Sequence, residues 1–205
     1  MRVADVSATG ADRRGSTGLA YFDRMYEDPD PWGYETSWYE HRKYALTLAA
    51  LPKPRYDRAF EPGCSIGVLT ELLADRCDRL VAWDFHGASA ARARDRLRSR
   101  PHVDVAAGEI PEQWPADPFD LVVLSEIAHY LGDPAHDRLI ERVASTLEPG
   151  GDVVLVHWRG ETDYPRTGDE VHERWRGDAR FTIVVELVED EFRLDVLRRS
   201  GDRAR

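Results

Sequence analysis

This 205-residue sequence predicts an α/β fold: a mostly parallel seven-stranded sheet with helices on both faces and an antiparallel hairpin at one edge. Three observations carry the prediction. Between residues 56 and 158, short apolar runs alternate with segments of helical periodicity, and each βα unit needs a right-handed crossover that lays consecutive strands parallel. After residue 180, two strand-like runs follow each other without a helix between them, as an antiparallel hairpin requires. With 42% hydrophobic residues, the chain is long enough to bury one core and short for two, so a single domain is expected over 19–205.

Taken in order, residues 1–18 are small, polar and glycine-containing, a composition that cannot offset the entropy of ordering, and read as a mobile tail. Residues 19–55 read as a helical lid in which aromatics gather, nine aromatic or His positions falling between Tyr21 and Leu51. "DPDPWG" breaks this segment with two prolines and a glycine. Thr36 or Ser37 then caps a helix to about Leu51, with Tyr44, Leu48 and Leu51 on one stripe. The core, 56–158, opens with the strand "RYDRAF" and a helix striped by Val68, Leu69, Leu72 and Leu73. The strand "RLVAWD", the helix "ASAARARDRLRSR" and the strand "HVDVAAG" follow. "FDLVVLSEI" is nearly continuous in apolar residues, as a strand buried on both faces would be. Leu139, Ile140, Val143, Ala144 and Leu147 mark the next helix, which "EPGG" ends before the strand "DVVLVHW". Residues 159–205 supply a capped helix at "TGDEVHERW", with His172 expected in solvent, and the edge hairpin.

A net charge of -10 and a pI near 5.2 oppose a nucleic acid or an anionic membrane as partner, since either would repel this surface. A small molecule fits better. Cys64 and Cys77 are the only cysteines. They lie roughly 20 Å apart if helix joins them, too far for a bridge. No apolar run approaches the ~20 residues that span a bilayer, and the amino terminus lacks the apolar core of a signal peptide. A cytoplasmic location is expected. No Cys/His cluster has metal spacing, so no metal site is expected.

In an open α/β sheet, ligands bind at the carboxyl ends of the strands, near the point where strand order reverses. The strand ends here carry Glu61, Gly63, Ser65 and Gly67, then Asp84, then Gly108 and Glu109, then Ser125 and Glu126, and last His157. Gly63 and Gly67 allow a close backbone approach. Asp84 stands at about the offset from the loop at which a carboxylate reaches ribose hydroxyls. A phosphate device is missing, because the loop has no G-K-[ST] and no cation, and Glu61 would repel a pyrophosphate. The expected ligand bears a ribose and positive charge.

S-adenosylmethionine fits that description. "EPGCSIG", "WD", "AGEIP", "FDLVVLSE" and "LEPGG" together resemble the motif set of class I S-adenosylmethionine-dependent methyltransferases, which have Rossmann-like sheets. The resemblance covers roughly 56–158, and Ser65 stands where that family's loop has glycine. More narrowly, "DPWGYETSWYE", "EPGCSIGVLTELLADRCDRL" and "LSEIAHYL" resemble the nodulation protein S type of N-methyltransferase, which adds 20–55. After His157 no match is visible.

The resemblance implies S-adenosylmethionine as cofactor and methyl transfer to an amine nitrogen of a small polar acceptor, such as an amino sugar or natural-product intermediate. Cofactor contacts are implied for Glu61, Gly63, Cys64, Ser65 and Gly67, and for Asp84, Phe85, Gly108, Glu109 and Ile110. Ser125, Glu126 and Trp32 complete the set. An amine must be neutral to attack, and Glu126, His129 and His157 are the candidate bases near the methyl. Tyr21, Trp32, Tyr34 and Tyr130 are candidates to cover the site, since aromatic faces suit a sulfonium. Plainer readings stand beside these. Asp84 could cap a helix, Glu109 could be solvated, His129 and His157 could be ordinary hydrogen-bonded residues, and Glu126 could pair with Arg42. O-methyl transfer, a nicotinamide-dependent reductase, or a non-catalytic cofactor-binding or partner subunit are the alternative functions. The oligomeric state is open.

Overall fold

A computed structural model describes residues 15–201. Seven strands form one sheet in the order β3-β2-β1-β4-β5-β7-β6. The strands are β1 (Tyr56–Pro62), β2 (Cys77–Asp84), β3 (Val103–Ala107), β4 (Phe119–Ser125), β5 (Leu147–Trp158), β6 (Phe181–Val188) and β7 (Phe192–Arg199). The first five are parallel, and β7 runs antiparallel between β5 and β6. The chain adds β2 and β3 on one side of β1, then returns to add β4 on the other. The order therefore reverses between β1 and β4, where a ligand crevice opens at the carboxyl ends.

Alternate residues of the central strands face opposite layers, as the strand period of two demands. Leu121 and Val123 of β4 and Val154 and Val156 of β5 join a core with Tyr44 and Leu51 near α2 (Trp38–Ala50) and Leu69 and Leu73 of α3 (Val68–Ala74). Val122, Leu124, Val153 and Leu155 face the other way. They pack with Leu139 and Val143 of α5 (Asp133–Thr146) and Val171 and Trp175 of α6 (Gly168–Arg176). Over β2 and β3, α4 (Gly87–Arg96) packs Ala93 on Ala82 and Val105.

Two departures from the sequence reading concern local structure. Of the expected tail, residues 1–14 lie outside the described residues, while its last part is paired: Thr17 N donates to Tyr130 O at 2.8 Å, and Gly132 N to Ser16 Oγ at 3.1 Å. "EPGG" was expected to precede β5, yet it lies inside it. Phe119 pairs with Leu147 and Leu121 with Asp152, so the intervening residues form a bulge, with Gly150 at φ +78°. A bulge absorbs the extra residues without ending the pairing.

Two short elements cover the crevice. The first is α1 (Leu19–Met25). After it, Asp30 turns the proline-rich loop, its carboxylate accepting from Tyr34 N at 2.8 Å and Glu35 N at 3.0 Å. Asp commonly makes such turns, because its side chain replaces a backbone acceptor. Among the described residues, no helix is long and apolar enough to cross a membrane.

Candidate functional site

The loop between β1 and α3 is shaped by three left-handed residues, Gly63 at φ +76°, Ser65 at +49° and Gly67 at +82°. Gly63 needs to be glycine. A Cβ there would stand 2.1 Å from Ile127 Cγ2, well inside contact distance. Gly67 caps α3, where a Cβ would lie 3.0 Å from that of Ala93. Ser65 tolerates its conformation because its surroundings hold it: its N–H donates to Asp84 Oδ2 at 2.9 Å, and its Oγ lies 2.5 Å from the Tyr26 hydroxyl. Left-handed backbone without glycine costs of order 1–3 kcal/mol and gathers at functional sites. Among the described residues the other such residue is Glu126, at φ +56°, across the crevice at the end of β4.

Ser65→Gly is expected to keep S-adenosylhomocysteine affinity within about threefold, since the relief of strain offsets the lost Tyr26 contact. Ser65→Leu is expected to abolish binding by filling the crevice. Calorimetry checks both, and equal affinity for Ser65→Leu would show that the loop does not approach the ligand.

A cleft of about 220 Å³ runs from this loop along the strand ends. Gly63, Ser65, Asp84 and Phe85 line one side, and Gly108, Glu109 and Ile110 another. Ser125, Glu126 and Trp32 complete the predicted residues that it brings together. Gly108 is a close-approach glycine, since a Cβ would meet the Trp83 ring at 2.4 Å. Asp84 is buried, which raises its pKa; the Ser65 and His86 amides that it accepts oppose the rise. Tyr26 also lines the cleft, stacked on His86 at 4.6 Å. Nothing in the spacing of the amino-terminal aromatics singles it out among so many.

Glu61 and Cys64 lie deeper, in a small side cavity shared with Tyr34, Tyr44, Ser65 and Glu126. Glu61 is 3% exposed, its Oε2 has no hydrogen-bond partner, and burial pushes its carboxyl up to about 7. Gly67 lines neither cavity. Its role is to turn the chain into α3.

A second cavity of about 250 Å³ shares Trp32, Tyr34, Glu126 and Tyr130 with the cleft. Tyr39, Trp158 and Tyr164 add aromatic faces, and Glu40, Lys43, His129 and Glu191 add charge or polarity. Glu126 stands where the cavities meet. It does not pair with Arg42, which forms a two-pronged pair with Glu189 at 2.5 and 2.6 Å. Its partner is instead Lys43, whose Nζ donates to Glu126 Oε1 at 2.8 Å and to Glu40 Oε1 at 3.0 Å. Trp158 N donates to the remaining oxygen at 2.9 Å. Burial disfavours the charged carboxylate, but Lys43 and the other partners outweigh it and hold Glu126 below the usual range.

The two candidate histidines separate. His129 is buried in the second cavity's wall with Nε2 unpartnered, and burial lowers its pKa to about 4. His157 lines none of these cavities. It is fully buried, with Nε2 at 3.2 Å from Ala128 N and Nδ1 at 3.2 Å from His172 Nε2. The Ala128 amide can only donate, so the lone pair sits on Nε2 and Nδ1 carries the proton. His172 continues the chain, its Nδ1 donating to Asp195 Oδ2 at 2.9 Å. Two expectations are thus corrected. His157 is no free base, because the interior uses both its nitrogens; and His172 is buried rather than solvated, because α6 turns it onto β5 and β7. Together the relay anchors the turn that carries Glu126, His129 and Tyr130.

Among the described residues, no group of three or more His, Cys, Asp or Glu is placed to hold a metal ion.

A family model described as nodulation protein S (NodS) matches residues 19–202. Nodulation protein S of Rhizobium tropici is 32% identical over 176 residues, 84% of this chain and 70% of that one. Its counterpart in Bradyrhizobium diazoefficiens is 30% identical over 163 residues, 77% and 72% of the two chains. The crystal structure of N-methyltransferase NodS from Bradyrhizobium japonicum WM9 with S-adenosyl-l-homocysteine superposes with a TM-score of 0.81 at 25% identity, covering 89% of this chain and 98% of that one. The similarity therefore extends well past His157, where no resemblance was legible, since a family model weighs weak matches that single motifs miss.

Proposed function

The chain belongs to the nodulation protein S family of S-adenosylmethionine-dependent methyltransferases, and we propose that it methylates the amine nitrogen of a small polar acceptor such as an amino sugar. The observation that carries the amine is the second cavity. It presents three carboxylates, Glu40, Glu126 and Glu191, against the single cation Lys43, among aromatic faces. Such a lining favours a cation through charge and ring quadrupole together.

The residues at the cleft fit the cofactor. Glu61 offers a buried, unpartnered oxygen for an ammonium, and Gly63 keeps space that a Cβ would fill. Asp84 would take the ribose hydroxyls, and Phe85 with Gly108, Glu109 and Ile110 would flank the adenine. When bound, the cofactor supplies a methyl group already activated by its sulfonium. The chain's own task is positioning, worth up to ~7–11 kcal/mol in well-oriented systems. Glu126 and Tyr130, common to both cavities, fix where the two ligands meet. Residues 19–55 close over them, with Tyr34 in the wall of each cavity.

Calorimetry with S-adenosylhomocysteine tests the reading. Wild type is expected to bind, and Asp84→Ala to lose about 100-fold, the worth of two hydrogen bonds to a charged acceptor. Turnover of glucosamine with none of N-acetylglucosamine tests the acceptor. Absence of binding at high micromolar ligand would overturn the cofactor assignment, and equal turnover of the two sugars would overturn the amine.

A further inference from the structure

Three buried polar atoms in the second cavity's wall have no hydrogen-bond partner: the Tyr39 hydroxyl, Glu40 Oε2 and His129 Nε2. Buried polar groups are nearly always paired, so orphans gathered round one cavity mark where a guest's polar atoms belong. Glu40 is the anionic one. It is 5% exposed and sits in the first turn of α2, where Lys43 Nζ donates to its Oε1 at 3.0 Å; Oε2 makes no well-aligned hydrogen bond, and the Tyr44 hydroxyl is the polar neighbour of the carboxylate. Glu40, Lys43 and Glu126 together put two carboxylates on one buried ammonium. The trio keeps one net negative charge, which a buried site retains at a cost unless a cation joins it.

The other candidate bases are otherwise engaged. Glu126 spends one oxygen on Lys43 and the other on Trp158 N. His157 is locked into the relay to Asp195. His129 has a free nitrogen, but burial keeps it a weak base. Burial acts on Glu40 in the opposite direction, raising its pKa against the pull of Lys43, so it holds a proton more readily than an ordinary glutamate.

We propose that Glu40 is the acceptor-binding carboxylate: its Oε2 receives the ammonium group of the substrate between Tyr39, Trp158 and Tyr164, and takes one proton from it. The inference rests on the amine reading above. In the step, an N–H bond of the ammonium breaks and an O–H bond forms on Oε2. The electron pair stays on nitrogen and becomes the nucleophile for the methyl group; the Glu40 carboxyl later releases its proton to solvent. While Glu40 is protonated, Lys43 and Glu126 remain a balanced pair.

The test is a calorimetric titration of the full chain, saturated with S-adenosylhomocysteine, with glucosamine and N-acetylglucosamine as probes. Wild type is expected to prefer glucosamine by about tenfold or more, the scale of one charge-assisted contact. Glu40→Gln keeps the side-chain length and an oxygen for Lys43, and is expected to erase that preference while S-adenosylhomocysteine affinity stays unchanged. Equal binding of the two sugars by wild type overturns the proposal, and so does a preference that survives in Glu40→Gln. Where Glu40→Gln fails to fold, Glu40→Asp decides: it keeps the charge but draws it back by one methylene, is expected to lose most of the preference, and overturns the proposal if it keeps the wild-type preference in full. Failure of wild type to bind S-adenosylhomocysteine is a separate result, which overturns the methyl-transfer reading itself.

Discussion

Gly63→Val is expected to abolish cofactor binding, with S-adenosylhomocysteine affinity falling by about 1,000-fold or more, some 4 kcal/mol. Two costs combine. At φ +76° a β-branched residue is a genuine outlier, and its first carbon would overlap Ile127 Cγ2, at 2.1 Å. Ile127 cannot retreat freely, because its neighbours are fixed on both sides. Glu126 is held by Lys43 and Trp158 N, and Ala128 N by His157. The clash therefore passes into the turn that walls both cavities. Gly150→Ala is the control, since Gly150 has a similar φ of +78° with nothing within 4 Å. It is expected to lose only about 1 kcal/mol of stability through backbone strain and to bind S-adenosylhomocysteine as wild type does. Calorimetry and thermal melts on both variants check this, and wild-type affinity in Gly63→Val would refute the packing argument.

That contact also shows what the sequence could and could not disclose. The sheet was legible because strand and helix periods alternate along the chain, and the reversal of strand order follows from where β4 must return. Asp84 and the glycine loop were legible because spacing along one βα unit fixes them. Ile127, by contrast, meets Gly63 across the sheet, and nothing local pairs the two. The same holds for the relay. His157, His172 and Asp195 each look like a polar residue near an element end, and only the antiparallel insertion of β7 beside β5 brings them into line.

The α2 helix gives the sharpest case. Hydrophobicity picks out Tyr44, Leu48 and Leu51, whereas the buried stripe is Glu40, Lys43, Tyr44 and Thr47, spaced at i, i+3, i+4 and i+7. The spacing is present, but charged residues occupy it, and hydrophobicity alone does not mark charged positions as buried. The alternative in which Glu126 pairs with Arg42 misses by one position for this reason. Neighbours on a helix point about 100° apart, and the helix phase turns Lys43 inward while Arg42 reaches Glu189.

Lys43→Met should consequently destabilise the protein by about 3–5 kcal/mol near neutral pH, because it strands buried carboxylates without their cation. Lys43 is 1% exposed, and its charge survives burial only through Glu126 and Glu40, which raise its pKa against desolvation. Methionine fills much of the same volume, so the loss is electrostatic rather than a cavity. The pH dependence separates the two. In wild type, Glu126 has a depressed pKa, so its contribution is present above the unfolded value near 4.3 and is lost as pH falls through the folded one. Without Lys43, burial dominates at both Glu40 and Glu126, and their folded pKa values lie above the unfolded ones. The folded variant then binds more protons than the unfolded chain, and its stability rises as pH falls toward 5. Urea unfolding at pH 8 and pH 5.5 measures the deficit relative to wild type, which is expected to shrink on acidification. A deficit that stays constant across that range would mean that Lys43 acts through packing alone, and that the carboxylates beside it are not held charged by its ammonium.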